Sequence, residues 1–158
     1  MDRTELDSLD NKIIHLLTEN GRMPIGEMVK RLKVTAPTIR SRLKSLEKNG
    51  IFKVSGLIDP SKHGEMTTAL VAMSVRSEGK MDQILEKITR LPNVAWAGVV
   101  TGRYDILAEV VCVEGNEELY RFTTSEILKM GNVTRSETFI VMKSKNNWLQ
   151  LPKGINEI

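Results

Sequence analysis

The chain has 158 residues, 41% of them hydrophobic and 27% charged, and a net charge of +3. That composition supports a core in one mid-sized domain or two small ones. No apolar run approaches the roughly 20 residues of a membrane span, and Asp2, Arg3 and Glu5 argue against a secretory leader, so no membrane partner is expected.

The first third reads as three short helices. In "LDSLDNKIIHLLTENG", Leu6, Leu9, Ile13, Leu16 and Leu17 recur at steps of three and four, with Asp7 as N-cap and Asn20-Gly21 as stop. "PIGEMVKRLK" repeats the stripe with Ile25, Met28, Val29 and Leu32, and Pro24 suits a first turn. Thr35 can cap a third helix whose apolar stripe is Ile39, Leu43 and Leu46, ended by Asn49-Gly50.

Charge is unevenly spread. Lys30, Arg31, Lys33, Arg40, Arg42, Lys44 and Lys48 face a single acid, Glu47, so this segment carries +6 and the rest of the chain −3. Pro37, Arg40, Ser41, Lys44 and Lys48 share one side of the third helix, opposite its apolar stripe. Only Lys33 and Val34 separate the second and third helices, which forces the sharp crossing of a helix-turn-helix and turns the third helix outward. A solvated basic face is the plainer explanation of such a helix. The short turn and the missing acids favour a DNA-reading surface. One feature departs from the motif: the turn reads Lys33-Val34-Thr35 and holds no glycine.

"IFKVSGLIDPSKHG" reads as a wing strand, a turn at Asp59-Pro60 and a break at Gly64. His15 and His63 stand alone in sequence, so no metal site is expected, and no motif calls for a cofactor. Beyond the linker the apolar period changes from 3.6 to 2. "TALVAMSV", "NVAWAGVVTG", "YDILAEVVCV" and "VTRSETFIVMK" read as strands, and "MDQILEKITRL" and "NEELYRFTTSEILKM" as helices. The order βαββαβ predicts a ferredoxin-like sheet with both helices on one face. Domain bounds follow: 1–50 helix-turn-helix, 51–66 wing and linker, 67–145 sheet domain, 146–158 tail. The fold class is α+β.

The strands are apolar on both sides. Val94, Trp96 and Val100 alternate with Ala95, Ala97 and Val99, and Ile106, Val110 and Cys112 with Leu107, Val111 and Val113. A second copy of the sheet is the simplest cover for the face that the helices leave open, which predicts a homodimer. Cys112 lies in one of these strands, where a buried thiol is expected. As the single cysteine it excludes an intramolecular disulfide and fits a reducing, cytoplasmic setting.

Five segments in order resemble the leucine-responsive/asparagine-operon regulator family (Lrp/AsnC): "LDSLDNKIIHLLTENGR", "TIRSRLKSLEKNGI", "IDPSKHG", "VVTGRYDILAEV" and "NVTRSETFIVMK". The resemblance covers Leu6 to about Lys143. It implies a transcriptional regulator with an N-terminal domain for double-stranded DNA and a C-terminal domain that dimerises and binds a small effector, often an amino acid. It also implies assembly of dimers into octamers or similar rings. The tail "NNWLQLPKGINEI" lies past the pattern.

The helix faces supply the DNA roles. Thr38, Arg40, Ser41 and Lys44 are expected toward the major groove, Arg40 and Lys44 on guanine, and Thr35 near phosphate. Pro37 and Lys48 share the outward face, while Arg42, on the other side, reaches backbone or pairs with a neighbour. Thr101-Gly102-Arg103-Tyr104-Asp105 reads by itself as a hairpin turn. The resemblance makes it the effector loop. Its backbone N–H groups would hold an α-carboxylate and Asp105 an α-ammonium. Arg103 and Tyr104 would select the side chain, and Thr134, Ser136 and Thr138 would add hydroxyls from a neighbouring chain.

Two other functions compete with this one. A branch with the same architecture decarboxylates a tetrapyrrole, which calls for histidine, arginine and tyrosine around a large cavity. Here no histidine follows His63, and G-x-S-x-G, a phosphate-cradling glycine loop and a cysteine-histidine pair are all missing. An enzyme is not expected. A metabolite-binding module without DNA binding would need a neutral or acidic third helix.

Overall fold

The computed structural model describes residues 5–76 and 79–156. They fall into two compact units that part between Ser55 and Gly56, inside the segment expected as wing and linker.

In the first unit, α1 spans Ser8–Glu19, α2 Ile25–Leu32 and α3 Ala36–Lys48. Asp7 caps α1 by accepting the Leu9 and Asp10 N–H groups, and Asp10 closes a capping box on the Asp7 N–H. Ile13, Leu17, Met23, Met28 and Ile39 form the core, with Leu9, Leu16, Val29, Leu43 and Phe52 packed around it. Burying each large aliphatic side chain stabilises by roughly 1.5–3 kcal/mol, so this small cluster is what holds three short helices together. The turn between α2 and α3 explains how glycine is avoided: Lys33 itself takes the left-handed conformation, φ 55° and ψ 40°.

Residues 52–57, expected as a wing strand, form neither helix nor strand within this chain, and Val54 and Leu57 are exposed. A strand needs a ladder, and none of the chain's described strands pairs with this segment. Pairing begins only at Ile58, which exchanges both backbone hydrogen bonds with Leu149 (2.9 and 3.0 Å).

The second unit contains β1 (Thr67–Val75), α4 (Met81–Thr89), β2 (Val94–Val99), β3 (Ile106–Cys112), α5 (Gly115–Arg121) and β4 (Val133–Ile140). The four strands lie in the order β2-β3-β1-β4, every pairing antiparallel, as expected of the ferredoxin-like arrangement. Ile84 and Ile88 of α4 pack with Leu119 and Phe122 on Ala69, Val71, Met73, Ile106, Ala108, Val110 and Cys112. α5 runs on into a π-helical stretch, Phe122–Ile127. There the Thr123 and Thr124 hydroxyls donate to the Leu119 and Tyr120 carbonyls, competing with the α-helical bonds.

Register corrects the expected faces of β2. Val94 lies opposite Val110 and Trp96 opposite Glu109, so Ala95 is an extra residue, a bulge. The bulge puts Val94 on the helix side with Ala97 and Val99 and leaves Trp96 on the other. The open side therefore carries Trp96, Leu70, Leu107 and Phe139, with Trp96 46% and Phe139 49% exposed. Glu109, Arg135 and Glu137 share it.

The tail is built into this unit. Leu149 and Pro152 are buried, and a Cβ on Gly154 would stand 2.3 Å from the Pro92 Cβ and 2.6 Å from its Cα and carbonyl oxygen. Among the described residues no helix is long and apolar enough to cross a membrane.

Candidate DNA interface and effector loop

α3 is laid down so that its two faces have different fates. Ile39 and Leu46 are buried, whereas Pro37, Arg40, Ser41, Lys44 and Lys48 are exposed on the other side. Thr35 caps the helix: its Oγ1 accepts the Thr38 N–H at 3.4 Å and lies 2.8 Å from the Thr38 hydroxyl, so both hydroxyls are already engaged. Among the described residues, Arg40, Lys44 and Lys48 form no salt bridge. Four residues apart on a helix, their charges rise in steps of about 6 Å along one face. The first turn of α3 carries no acid to oppose an incoming phosphate.

Arg42 lies off that face and pairs with a neighbour, one of the two roles expected of it. Its Nη1 lies 2.6 Å from Asp7 Oδ2 and 3.2 Å from Asp10 Oδ2, which ties α3 to the cap of α1. Asp7 is consequently held below the ordinary carboxylate range, first by the Asp10 N–H it accepts and then by the Arg42 charge. Arg31 is likewise paired, to Glu27 and Glu19. The cationic surface is thus narrower than the sequence count of basic residues, and more sharply defined.

At the far end of the sheet, Thr101, Gly102 and Arg103 are exposed, and Tyr104 and Asp105 are half-buried. Gly102 sits at φ 125°, a conformation that side-chain-bearing residues rarely adopt. Asp105 is anchored from three directions. Its N–H donates to the Met73 carbonyl (2.9 Å), its own carbonyl accepts the Val100 N–H (2.9 Å), and its Oδ2 accepts the Val75 N–H (2.9 Å). One carboxylate oxygen is therefore committed to the fold.

Tyr104 donates its hydroxyl to Glu137, and Arg135 stacks over its ring at 5.6 Å. That hydrogen bond, more than burial, raises the phenol above its usual range. The sequence points to Ser136 and Thr138, whereas Tyr104 meets Glu137 and Arg135. Register explains the exchange. Arg135, Glu137 and Phe139 share the open face with the loop, while Ser136 pairs with Met73 and Thr138 with Val71 on the helix side. Thr134 spends its hydroxyl on the Ser74 carbonyl (3.1 Å). Within one chain, then, the loop gathers Tyr104, Arg135 and Glu137, and Ser136 and Thr138 lie on the other face.

A helix pair with an unpaired cationic face on its second member, followed on the same chain by a helix-backed antiparallel sheet, defines a two-domain DNA-binding regulator. Comparison with known proteins gives the family. The model of the AsnC-type helix-turn-helix domain matches residues 6–47, and that of the Lrp/AsnC ligand binding domain matches 68–148. The chain belongs to the Lrp/AsnC family of transcriptional regulators. It is 35% identical over 144 residues to the uncharacterized HTH-type transcriptional regulator PH0140 of Pyrococcus horikoshii, covering 90% of each chain. The structure of E. coli AsnC matches with a TM-score of 0.71 at 25% identity, over 89% of this chain and 95% of that one. The transcriptional regulator NMB0573 of Neisseria meningitidis, solved as its L-Met complex, shares the fold with a TM-score of 0.71 at 24% identity, over 96% of each chain.

Proposed function

We propose that the protein reads operator DNA through Arg40, Ser41, Lys44 and Lys48, and that a free amino acid held at the 101–105 loop controls it. The observation that carries this reading is the sorting of α3's cations. Arg42 is consumed by Asp7 and Asp10, and Arg40, Lys44 and Lys48 are left exposed on one face. A surface of that kind supplies both the phosphate attraction and the bidentate donors that guanine requires.

Control by an amino acid draws on two things. The matched domain is a ligand-binding one, and NMB0573 carries L-Met in its solved complex. At the loop, the N–H groups of 101–104 take the α-carboxylate and the unshared oxygen of Asp105 takes the α-ammonium. Tyr104, Arg135 and Glu137 then border the side chain.

The half-exposed Trp96 and Phe139 argue for an assembly in which the open sheet faces of two chains cover each other. Two copies place two α3 helices on a pseudo-palindromic site. Rings of dimers follow the family pattern.

Calorimetry with the twenty amino acids, L-methionine first, tests the effector. Asp105→Asn is the informative variant, because it keeps an acceptor for the Val75 N–H and removes the charge. It should weaken binding by about tenfold or more. Equal affinity in both proteins removes Asp105 from the site.

A further inference from the structure

A cavity lies at the opposite end of β1 from the 101–105 loop. It measures about 420 Å³, and Ser61, His63, Thr68, Met142, Lys143 and Ser144 are among its lining residues. Thr68 stands near the start of β1, whereas the 101–105 loop is bonded to Met73 and Val75 near its end. Seven residues of strand separate Thr68 from Val75, roughly 23 Å. The two places cannot share one small ligand.

The turn that holds His63 is fixed by its backbone. Lys62 and His63 donate their N–H groups to the Asp59 and Pro60 carbonyls (both 3.1 Å), and the His63 carbonyl accepts the Met66 N–H (3.2 Å). Asp59 Oδ1 accepts both the N–H (3.0 Å) and the hydroxyl (2.6 Å) of Ser61, and these bonds hold Asp59 ionised below its usual range. Against that rigid frame, His63 Nδ1 is the one buried side-chain nitrogen or oxygen among the described residues that no protein group satisfies. His63 is also among the residues that line the cavity, and a buried imidazole nitrogen that no protein group satisfies is completed by something outside the chain.

The lining chemistry says what would complete it. Lys143 brings a cation, Thr68 and Ser144 bring hydroxyls, and no aspartate or glutamate lines the cavity. Lys143 has no ion-pair partner among the described residues. Met66, Val141 and Met142 give the remaining wall an apolar character. We infer that this cavity is a second ligand site, for a small organic anion whose carboxylate or phosphate meets Lys143 and the His63 imidazole while a short apolar body packs on the methionines. The site is independent of the amino-acid site at the loop, and neither needs the other to exist.

The chain's two histidines make the test self-controlled, since His15 is exposed on α1, in the other compact unit, and is not among the lining residues. The imidazole resonances of the full chain are followed by NMR at constant pH and ionic strength, assigned with His15→Gln. Isovalerate and inorganic phosphate are added separately, with chloride as the reference anion. The expected result is a saturable shift of the His63 ring with one or both probes, half-complete at about 1 mM or below, while His15 stays still. A response to isovalerate alone identifies an organic acid, and to phosphate alone a phosphate ester. Lys143→Met should raise the half-saturation concentration about tenfold or more. If His63 moves no more than His15 with either probe, there is no site. If Lys143→Met titrates like the wild type, the anion assignment is wrong.

Discussion

Arg42 on α3 and Asp7 at the cap of α1 lie 2.6 Å apart, joining the first turn of one helix to the middle of another. The pair is half-exposed, so its own contribution is modest. Its neighbour Asp10 is different, with a side chain only 10% exposed that loses its cation when Arg42 goes. Arg42→Ala should therefore destabilise the helical unit by about 1–2 kcal/mol, read by urea unfolding. At a temperature where that variant stays folded, its DNA affinity should match the wild type within about threefold.

The same pair gives a pH dependence with a definite sign. The Asp7 carboxyl is lowered in the fold, by the Asp10 N–H first and Arg42 after it. Its contribution is present above the ordinary aspartate range near pH 4 and lost as pH falls through the folded value. Melting temperatures of the wild type should thus drop more steeply below about pH 4 than those of Asp7→Asn. Parallel curves would show that Asp7 contributes nothing.

Lys33 carries a left-handed backbone, φ 55°, without glycine's freedom. Lys33→Gly relieves that conformation and should raise stability by about 0.5–1 kcal/mol in chemical denaturation. A loss of stability would mean that its side chain does more in the fold than end α2.

Much of the architecture was legible in the sequence because apolar periods of 3.6 and 2 alternate cleanly, and because Asp7, Thr35 and Asn20 are cap residues by chemistry. What could not be read was register. Nothing in "NVAWAG" announces that Ala95 is an extra residue, and nothing in "TRSETF" says that Arg135 and Glu137, rather than Ser136 and Thr138, turn toward Tyr104. Arg42 could be placed on the far side of α3 from its spacing alone, but its partners lie thirty-two and thirty-five positions away. The tail was opaque for a similar reason: its anchor, Ile58, is distant in the chain.

That tail yields a sharp substitution. Gly154→Ala would drive a Cβ into the backbone of Pro92, at 2.3–2.6 Å from its atoms. The segment must then lift away, and the Leu149 and Ile58 amides should lose hydrogen-exchange protection while Val71 in the sheet core keeps it. Unchanged exchange at Leu149 would show that the tail has room to adjust.

Cys112 is buried in β3, and burial, with the nearby Glu118 charge adding to it, pushes its thiol up to about 12. The native protein should resist thiol reagents at pH 8 and react fully once unfolded. Rapid native labelling would place Cys112 outside the core.

The most direct measurement concerns the outer face of α3. A fragment captured by the wild-type protein from sheared genomic DNA is compared with a scrambled version by fluorescence anisotropy, across a range of salt. The wild type should prefer the captured fragment by about a thousandfold or more. Arg40→Ala with Lys44→Ala should abolish most of that preference and reduce the salt slope by about two, while the fold stays intact by circular dichroism. If the double variant keeps both the preference and the slope, α3 does not read DNA through these residues.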